Sequence, residues 1–256
     1  MNRAWRTTDL KFAVLWEMLY RAPLPPPLLF TSRTPLLDDY EREKTAVAAE
    51  LRGRIDGSLR AALDAVAAPL IRIEVHGRNE DSEPAHRVRV LAGHNAIRGC
   101  VVTQLPGETE SHSGGYLIAE CDPEQLAGAV LAALGHAPPG CRGTVPLLAL
   151  SGADGMDYSF GRSLTGDDGA TAWAADFLRM PTERHGVIDI SQGRSKFGPR
   201  GIGTHVIAWR DLVDDGRYAI VCAGAPTAVG VGAAQLTALV DAGIETMLAR
   251  LADEDR

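Results

Sequence analysis

The sequence predicts an α/β protein of the α+β kind: two quasi-symmetric halves, each a mainly antiparallel sheet with packed helices. Three observations predict it. First, short apolar runs at 187–190, 205–209, 218–222 and 228–231 precede a long amphipathic run, and the same order occurs earlier at 71–75, 87–91, 99–104 and 116–121, closed by 123–134. Second, both closing runs open alike, with Glu124-Gln125-Leu126 in one and Ala234-Gln235-Leu236 in the other. The offset of about 110 to 120 residues is too long for a solenoid and fits pseudo-two-fold halves. Third, Ile71, Ile73 and Val75 alternate with Arg72, Glu74 and His76. That period of two describes a strand with one buried face and one wet face, as antiparallel sheets have. We therefore expect a single domain over 1–256, with an N-terminal half at 1–135 and a C-terminal half at 144–256. His136-Ala137-Pro138-Pro139-Gly140 marks the boundary.

Taken in order, Thr8 and Asp9 are placed to cap a first helix with Phe12, Leu15, Trp16 and Leu19 on one face. Pro23 and the Pro25-Pro26-Pro27 run end it, and a short extended segment is expected at 28–32. Thr34-Pro35 offers a capping hydroxyl and a proline at the first helical position, and Asp38, Asp39 and Glu41 suit the positive end of a helix reaching about residue 52. A third helix at 58–67 aligns Leu59, Leu63 and Val66, and Pro69 stops it. The connection at 77–85, Gly-Arg-Asn-Glu-Asp-Ser-Glu-Pro-Ala, is long for a hairpin and strongly polar. Solvent or a partner must satisfy it.

Turns are expected at 93–95 and 106–115, rich in Gly, Asn and Ser. A further strand is expected at 144–150, then a mobile Gly, Asp and Ser-rich stretch at 151–169. A helix at 170–179 with Trp173 and Phe177 precedes the second sheet as 58–67 precedes the first. In the last helix Leu236, Leu239, Val240, Ile244, Met247, Leu248 and Leu251 span roughly 180°, wider than the roughly 100° stripe that covers one core. Such a helix needs two neighbours. Leu236, Val240 and Met247 should face its own sheet. The Leu239 edge, or the Ile244 and Leu248 edge, is left for a second helix of the chain or for a partner.

Composition excludes several classes. A chain of 256 residues builds a core without staples, and Cys100, Cys121, Cys141 and Cys222 match no metal or redox spacing. Three of them, Cys100, Cys121 and Cys222, lie in expected strands and read as buried thiols; the four together point to a reducing compartment and a cytoplasmic protein. With 33 acidic against 26 basic side chains the net charge is −7, which argues against nucleic-acid partners. Glu17 and Lys11 interrupt the apolar N-terminal run, so it reads as an amphipathic helix and neither a signal peptide nor a membrane insertion is expected. Gly230-Val231-Gly232-Ala233-Ala234-Gln235 lacks the third glycine of a dinucleotide loop, and Gly193-Arg194-Ser195-Lys196-Phe197 lacks the last glycine of a nucleophile elbow. The seven histidines are scattered, and Asp38-Asp39 and Asp214-Asp215 fit a helix start and a turn. No catalytic residue, metal or cofactor is expected, and the chain reads as no enzyme. A small-molecule-binding regulatory module, with a cleft between the halves, and a hydrolase assembled from dispersed His, Asp and Ser stay open as alternatives.

Asp214-Asp215-Gly216-Arg217-Tyr218 joins two expected strands. Upstream stand His185-Gly186-Val187-Ile188-Asp189-Ile190, Gly198-Pro199-Arg200 and Val206-Ile207-Ala208-Trp209. Phe12-Ala13-Val14-Leu15-Trp16-Glu17, Leu24-Pro25-Pro26-Pro27-Leu28 and the helix start at 34–41 precede them. In this order and spacing, from Leu10 to Leu248, the chain resembles the EspG family of actinobacterial type VII (ESX) secretion. The resemblance implies a cytosolic chaperone that binds the apolar tip of the PPE subunit in a PE-PPE heterodimer, keeps the pair soluble and delivers it to the secretion machinery. It also implies that the long loop of the first half and the C-terminal helical region take part in binding. The candidate partner-binding residues are accordingly Arg78, Asn79, Glu80, Asp81, Ser82 and Glu83, with Leu239, Ile244 and Leu248 on the last helix.

Overall fold

The period-two pattern of the first half becomes a strand in which Ile71, Ile73 and Val75 are fully buried while Arg72, Glu74 and His76 stay partly or wholly exposed. The computed structural model describes residues 3–80, 86–147, 168–221 and 226–256, with the side chains of 168–172 excepted. Its strands are β1 (Ala4–Thr7), β2 (Ile71–Asn79), β3 (His86–His94), β4 (Gly99–Pro106), β5 (Ser113–Cys121), β6 (Thr144–Pro146), β7 (Thr182–Gln192), β8 (Thr204–Leu212), β9 (Gly216–Val221) and β10 (Thr227–Gly230). The helices are α1 (Asp9–Tyr20), α2 (Leu37–Leu51), α3 (Gly57–Ala67), α4 (Leu126–Ala132), α5 (Asp168–Arg179) and α6 (Ala233–Glu254).

All ten strands form one sheet in the order β1-β5-β4-β3-β2-β7-β8-β9-β10-β6. Neighbours within it run antiparallel. The two quasi-symmetric halves are thus two meanders, β2 to β5 and β7 to β10, that meet edge to edge. Their seam is the β2–β7 ladder, from Ile71 opposite Gln192 to Asn79 opposite Arg184. Joining them removes two exposed edges from the middle of the molecule.

Helices cover the two sheet faces differently. On one face α4 and α6 share a core with Ile73, Val75 and Val90 of the first half and Ile188, Ile190 and Trp209 of the second. On the other face α1, α2 and α3 cover the first half around Phe12, Leu63, Leu91 and Tyr116, and α5 covers the second half around Phe177, Tyr218 and Ile220. The wide apolar arc of α6 has its two neighbours: the sheet beneath it and α4 beside it. Ile244 is buried, whereas Leu239 and Leu248 are partly buried against the same core.

Several expected boundaries move. The stretch at 77–85 is not all loop, because β2 continues through Asn79 and pairs Gly77, Arg78 and Asn79 with Val88, Arg87 and His86. Polarity does not mark a loop there, since charged residues are tolerated on a wet sheet face. The segment 28–32, expected to be extended, joins no strand ladder. β1 had no pattern of its own to announce it and exists by pairing with β5. α2 begins at Leu37, and Thr34 does not cap it: its hydroxyl donates to Glu43 Oε2 at 2.7 Å. α3 is capped instead by Asp56, which accepts from the Ser58 amide at 3.0 Å. The run at 123–134 divides into a 3-10 turn, Pro123–Gln125, and the shorter α4. The expected loop at 151–169 and strand residues 148–150 lie almost wholly outside the described residues, as does Cys222.

The boundary segment 136–140 is tied down by a buried ion cluster. Arg217 meets Asp211 at 2.6 and 2.8 Å, and Arg184 meets the same carboxylate at 2.9 Å. Arg184 also donates to the carbonyls of Leu134 and His136, both at 2.8 Å. With Asp211 and Arg217 almost wholly buried, each charge is tolerated only because the other is there.

Candidate partner-binding surface

Between α1–α3 and α5 the seam strands carry a strip that belongs to no core cluster. Register places its side chains on one face: Arg72, Glu74, His76 and Arg78 on β2, Arg87 and Arg89 opposite them on β3, and His185 and Asp189 on β7. Arg210 of β8, opposite His185, closes the far side. Its guanidinium donates to the carbonyls of Phe177, Leu178 and Met180 at 3.1 to 3.3 Å, capping the C-terminal end of α5 where a cation is favoured.

A cavity of about 410 Å³ opens on this strip, lined among others by His76, Arg78, Arg87, Arg89, Glu110 and His185. Three arginines converge there in a chain whose net charge is −7. Glu110, from the β4–β5 turn, partly neutralises them. One of its carboxylate oxygens accepts from Arg78 Nη1, the other accepts from Arg87 Nε at 3.0 Å, and its main-chain carbonyl accepts from Arg89 Nη1 at 3.3 Å. Burial works against ionising the Glu110 carboxyl, but the hydrogen bond and charge of Arg87, then Arg78, outweigh it and hold its pKa below the usual range. Among the described residues Arg89 forms no ion pair with a carboxylate; burial and the neighbouring Arg87 lower its pKa. Burial likewise pushes the Asp189 carboxyl up and the His185 imidazole down, and among the described residues the buried His185 Nδ1 has no hydrogen-bond partner.

The structure brings some of the predicted site residues together and separates others. Arg78 lines the cavity, with Glu80 ion-paired to it at the end of β2. Asn79 pairs with His86 and Arg184 in the sheet. Asp81, Ser82 and Glu83 lie outside the described residues. Leu239, Ile244 and Leu248 sit on α6, across the sheet from the cavity. Sequence reasoning missed Arg87, Arg89, Glu110, His185 and Arg210. The alternation His86-Arg87-Val88-Arg89-Val90 was a signal for two arginines on one wet face, whereas nothing local marks Glu110. Among the described residues no group of three His, Cys, Asp or Glu could hold a metal ion, and no helix is long and apolar enough to cross a membrane.

Fold and surface together define a class: an α+β protein of two fused antiparallel meanders with one sheet face clad in helices and, among the described residues, a charged strip left open on the other. The sequence model of the EspG family matches residues 8–242, and the chain belongs to that family. Among solved structures the chain is similar to the Mycobacterium tuberculosis type VII secretion system chaperone EspG5, whose structure was determined in complex with the PE25-PPE41 dimer. The two share 13% identity over 97% of each chain, with a TM-score of 0.56, a likeness that carries the fold. No curated protein matches the chain.

Proposed function

We propose that this chain is a cytoplasmic secretion chaperone that binds a PE-PPE heterodimer, shields the apolar tip of the PPE subunit, keeps the pair soluble and delivers it to a type VII secretion system. The observation that carries this reading is family membership over residues 8–242, joined to a fold that matches a PE-PPE-bound chaperone along 97% of both chains. In this reading the protein works by binding and performs no chemistry. Its contacts are the β2–β3 hairpin, Arg78 to Glu83, and the half-buried edge of α6 at Leu239 and Leu248; Ile244, being buried, supports that edge from beneath. Co-expression with PE-PPE pairs encoded beside the gene, followed by gel filtration, tests it. A stable ternary peak with one pair is expected, and failure to co-elute with any pair that is itself soluble would remove the reading.

A further inference from the structure

We propose that Arg78, Arg87 and Arg89 form a docking site for a carboxylate side chain of a protein partner, and that Glu110 fills this site in the free chain as an internal substitute. The proposal rests on the reading of the chain as a partner-binding protein and says what its open sheet face recognises.

Four observations carry it. The arginines stand on the sheet, at opposed positions of β2 and β3, while the carboxylate between them comes from the separate β4–β5 turn. Glu110 spreads its contacts over all three arginines and Glu80 also pairs with Arg78, but among the described residues Arg89 receives only the Glu110 main-chain carbonyl, so positive charge is left over there. The Glu110 side chain is 38% exposed beside a cavity of about 410 Å³, so solvent and an incoming group both reach it. The turn is fastened elsewhere: Arg33 grips Glu108 through two contacts of 2.7 Å, and Thr31 Oγ1 donates to the Ser111 carbonyl at 2.7 Å. Exchange therefore needs only a rotation of the Glu110 side chain, with the main chain in place.

The exchange is favoured where the three arginines together offset the desolvation of the incoming carboxylate. A solvent-exposed ion pair is weak, so releasing Glu110 costs little. A carboxylate arriving on a protein that covers the cavity is shut away from water, where charge-assisted bonds to arginine are stronger. A protein fits better than a small anion because the adjoining strip of Arg72, Glu74 and Asp189 carries both signs, as a complementary protein surface requires.

The test compares the full chain with Glu110→Gln and with the double variant Glu110→Gln/Arg87→Gln, after unchanged melting shows all three folded. Probes are a co-purifying PE-PPE heterodimer, an acetylated tetra-aspartate peptide and inorganic phosphate, each titrated at low and physiological salt. We expect Glu110→Gln to bind the heterodimer about threefold to fivefold more tightly, the scale of one exposed ion pair, and the double variant to lose that gain. Unchanged heterodimer affinity in Glu110→Gln would overturn the proposal. So would phosphate binding that follows the variants while heterodimer affinity does not, which marks a small-anion site. If no heterodimer binds any of the three proteins, the proposed function fails and the peptide decides alone. A gain in Glu110→Gln that the double variant lacks then sustains a carboxylate site, and no such gain removes it.

Discussion

Asp215 lies in the β8–β9 turn with its side chain 3% exposed, and four donors converge on it. They are the Cys141 amide and thiol and the Tyr218 hydroxyl at 2.9 Å, and Arg142 Nε at 2.6 Å. Burial alone would raise its pKa; the Cys141, Tyr218 and Arg142 bonds outweigh it and bring the carboxyl down to about 2. A carboxylate depressed in the folded state adds stability above its unfolded pKa, and that stability is lost as pH falls through the folded value. Asp215→Asn should therefore lower stability at pH 7 by about 2 kcal/mol. The deficit should shrink as pH drops from 3.8 towards about 2, checked by urea midpoints of both proteins. A deficit that stays constant across this window would show the charge to be irrelevant. The turn itself was legible, since Asp214 and Gly216 take the positive φ values, 58° and 136°, that Asp-Gly turns accommodate. Its reach to Cys141, 74 residues away, was not, because no local pattern records a contact made by folding.

Element order was legible for the same reason that boundaries were not. Long runs of period two or 3.6 announce β2, β5, α1 and α6, and β6 falls within the strand expected at 144–150, whereas β1 owes its existence to the free edge of β5. The seam between the meanders is the most consequential feature that periodicity could not show. There Gly77 stands opposite Gly186. A Cβ on Gly186 would lie 2.3 Å from the His76 carbonyl oxygen and 2.6 Å from the Gly77 Cα, both main chain and unable to step aside. Gly186→Ala should cost about 1 to 3 kcal/mol, as overpacking does, and loosen the seam. Hydrogen exchange of the β2 and β7 amides should rise more than that of β4; uniform exchange would contradict this. Nearby, Asp211→Ala leaves Arg217 and Arg184 without their carboxylate and should cost about 3 to 5 kcal/mol by thermal or urea unfolding.

At the scale of the whole molecule the sheet separates the two surfaces named for partner binding: the β2–β3 hairpin, which leads from the open charged face, and α6, on the fully clad face. Sequence reasoning reached Arg78 and Glu80 through the polarity of their segment, and reached α6 through its wide apolar arc. It could not tell that α4 occupies part of that arc, because the contact joins helices from different halves. The consequence is testable in a pair of variants. Leu239 and Leu248 pack against the core, so replacing either by Asp places an unpaired carboxylate against apolar surface, and the melting temperature should fall. If these positions serve only the core, partner binding declines in proportion to unfolding and returns at lower temperature. If they also hold the partner, binding stays lost under conditions where the variant is fully folded. Replacing 78–83 by a Gly-Ser linker is the complementary experiment on the other surface. The linker deletes the partly exposed ion pairs of Arg78 and puts Gly or Ser at two positions of β2 that pair with both β3 and β7, so stability should fall by about 1 to 3 kcal/mol, and binding is measured where the variant is folded. Partner affinity should drop by tenfold or more, about 1.4 kcal/mol, if the hairpin makes the contact. A linker variant that binds a PE-PPE pair normally, beside an α6 variant that is folded and does not, would move the whole interface to the helical face.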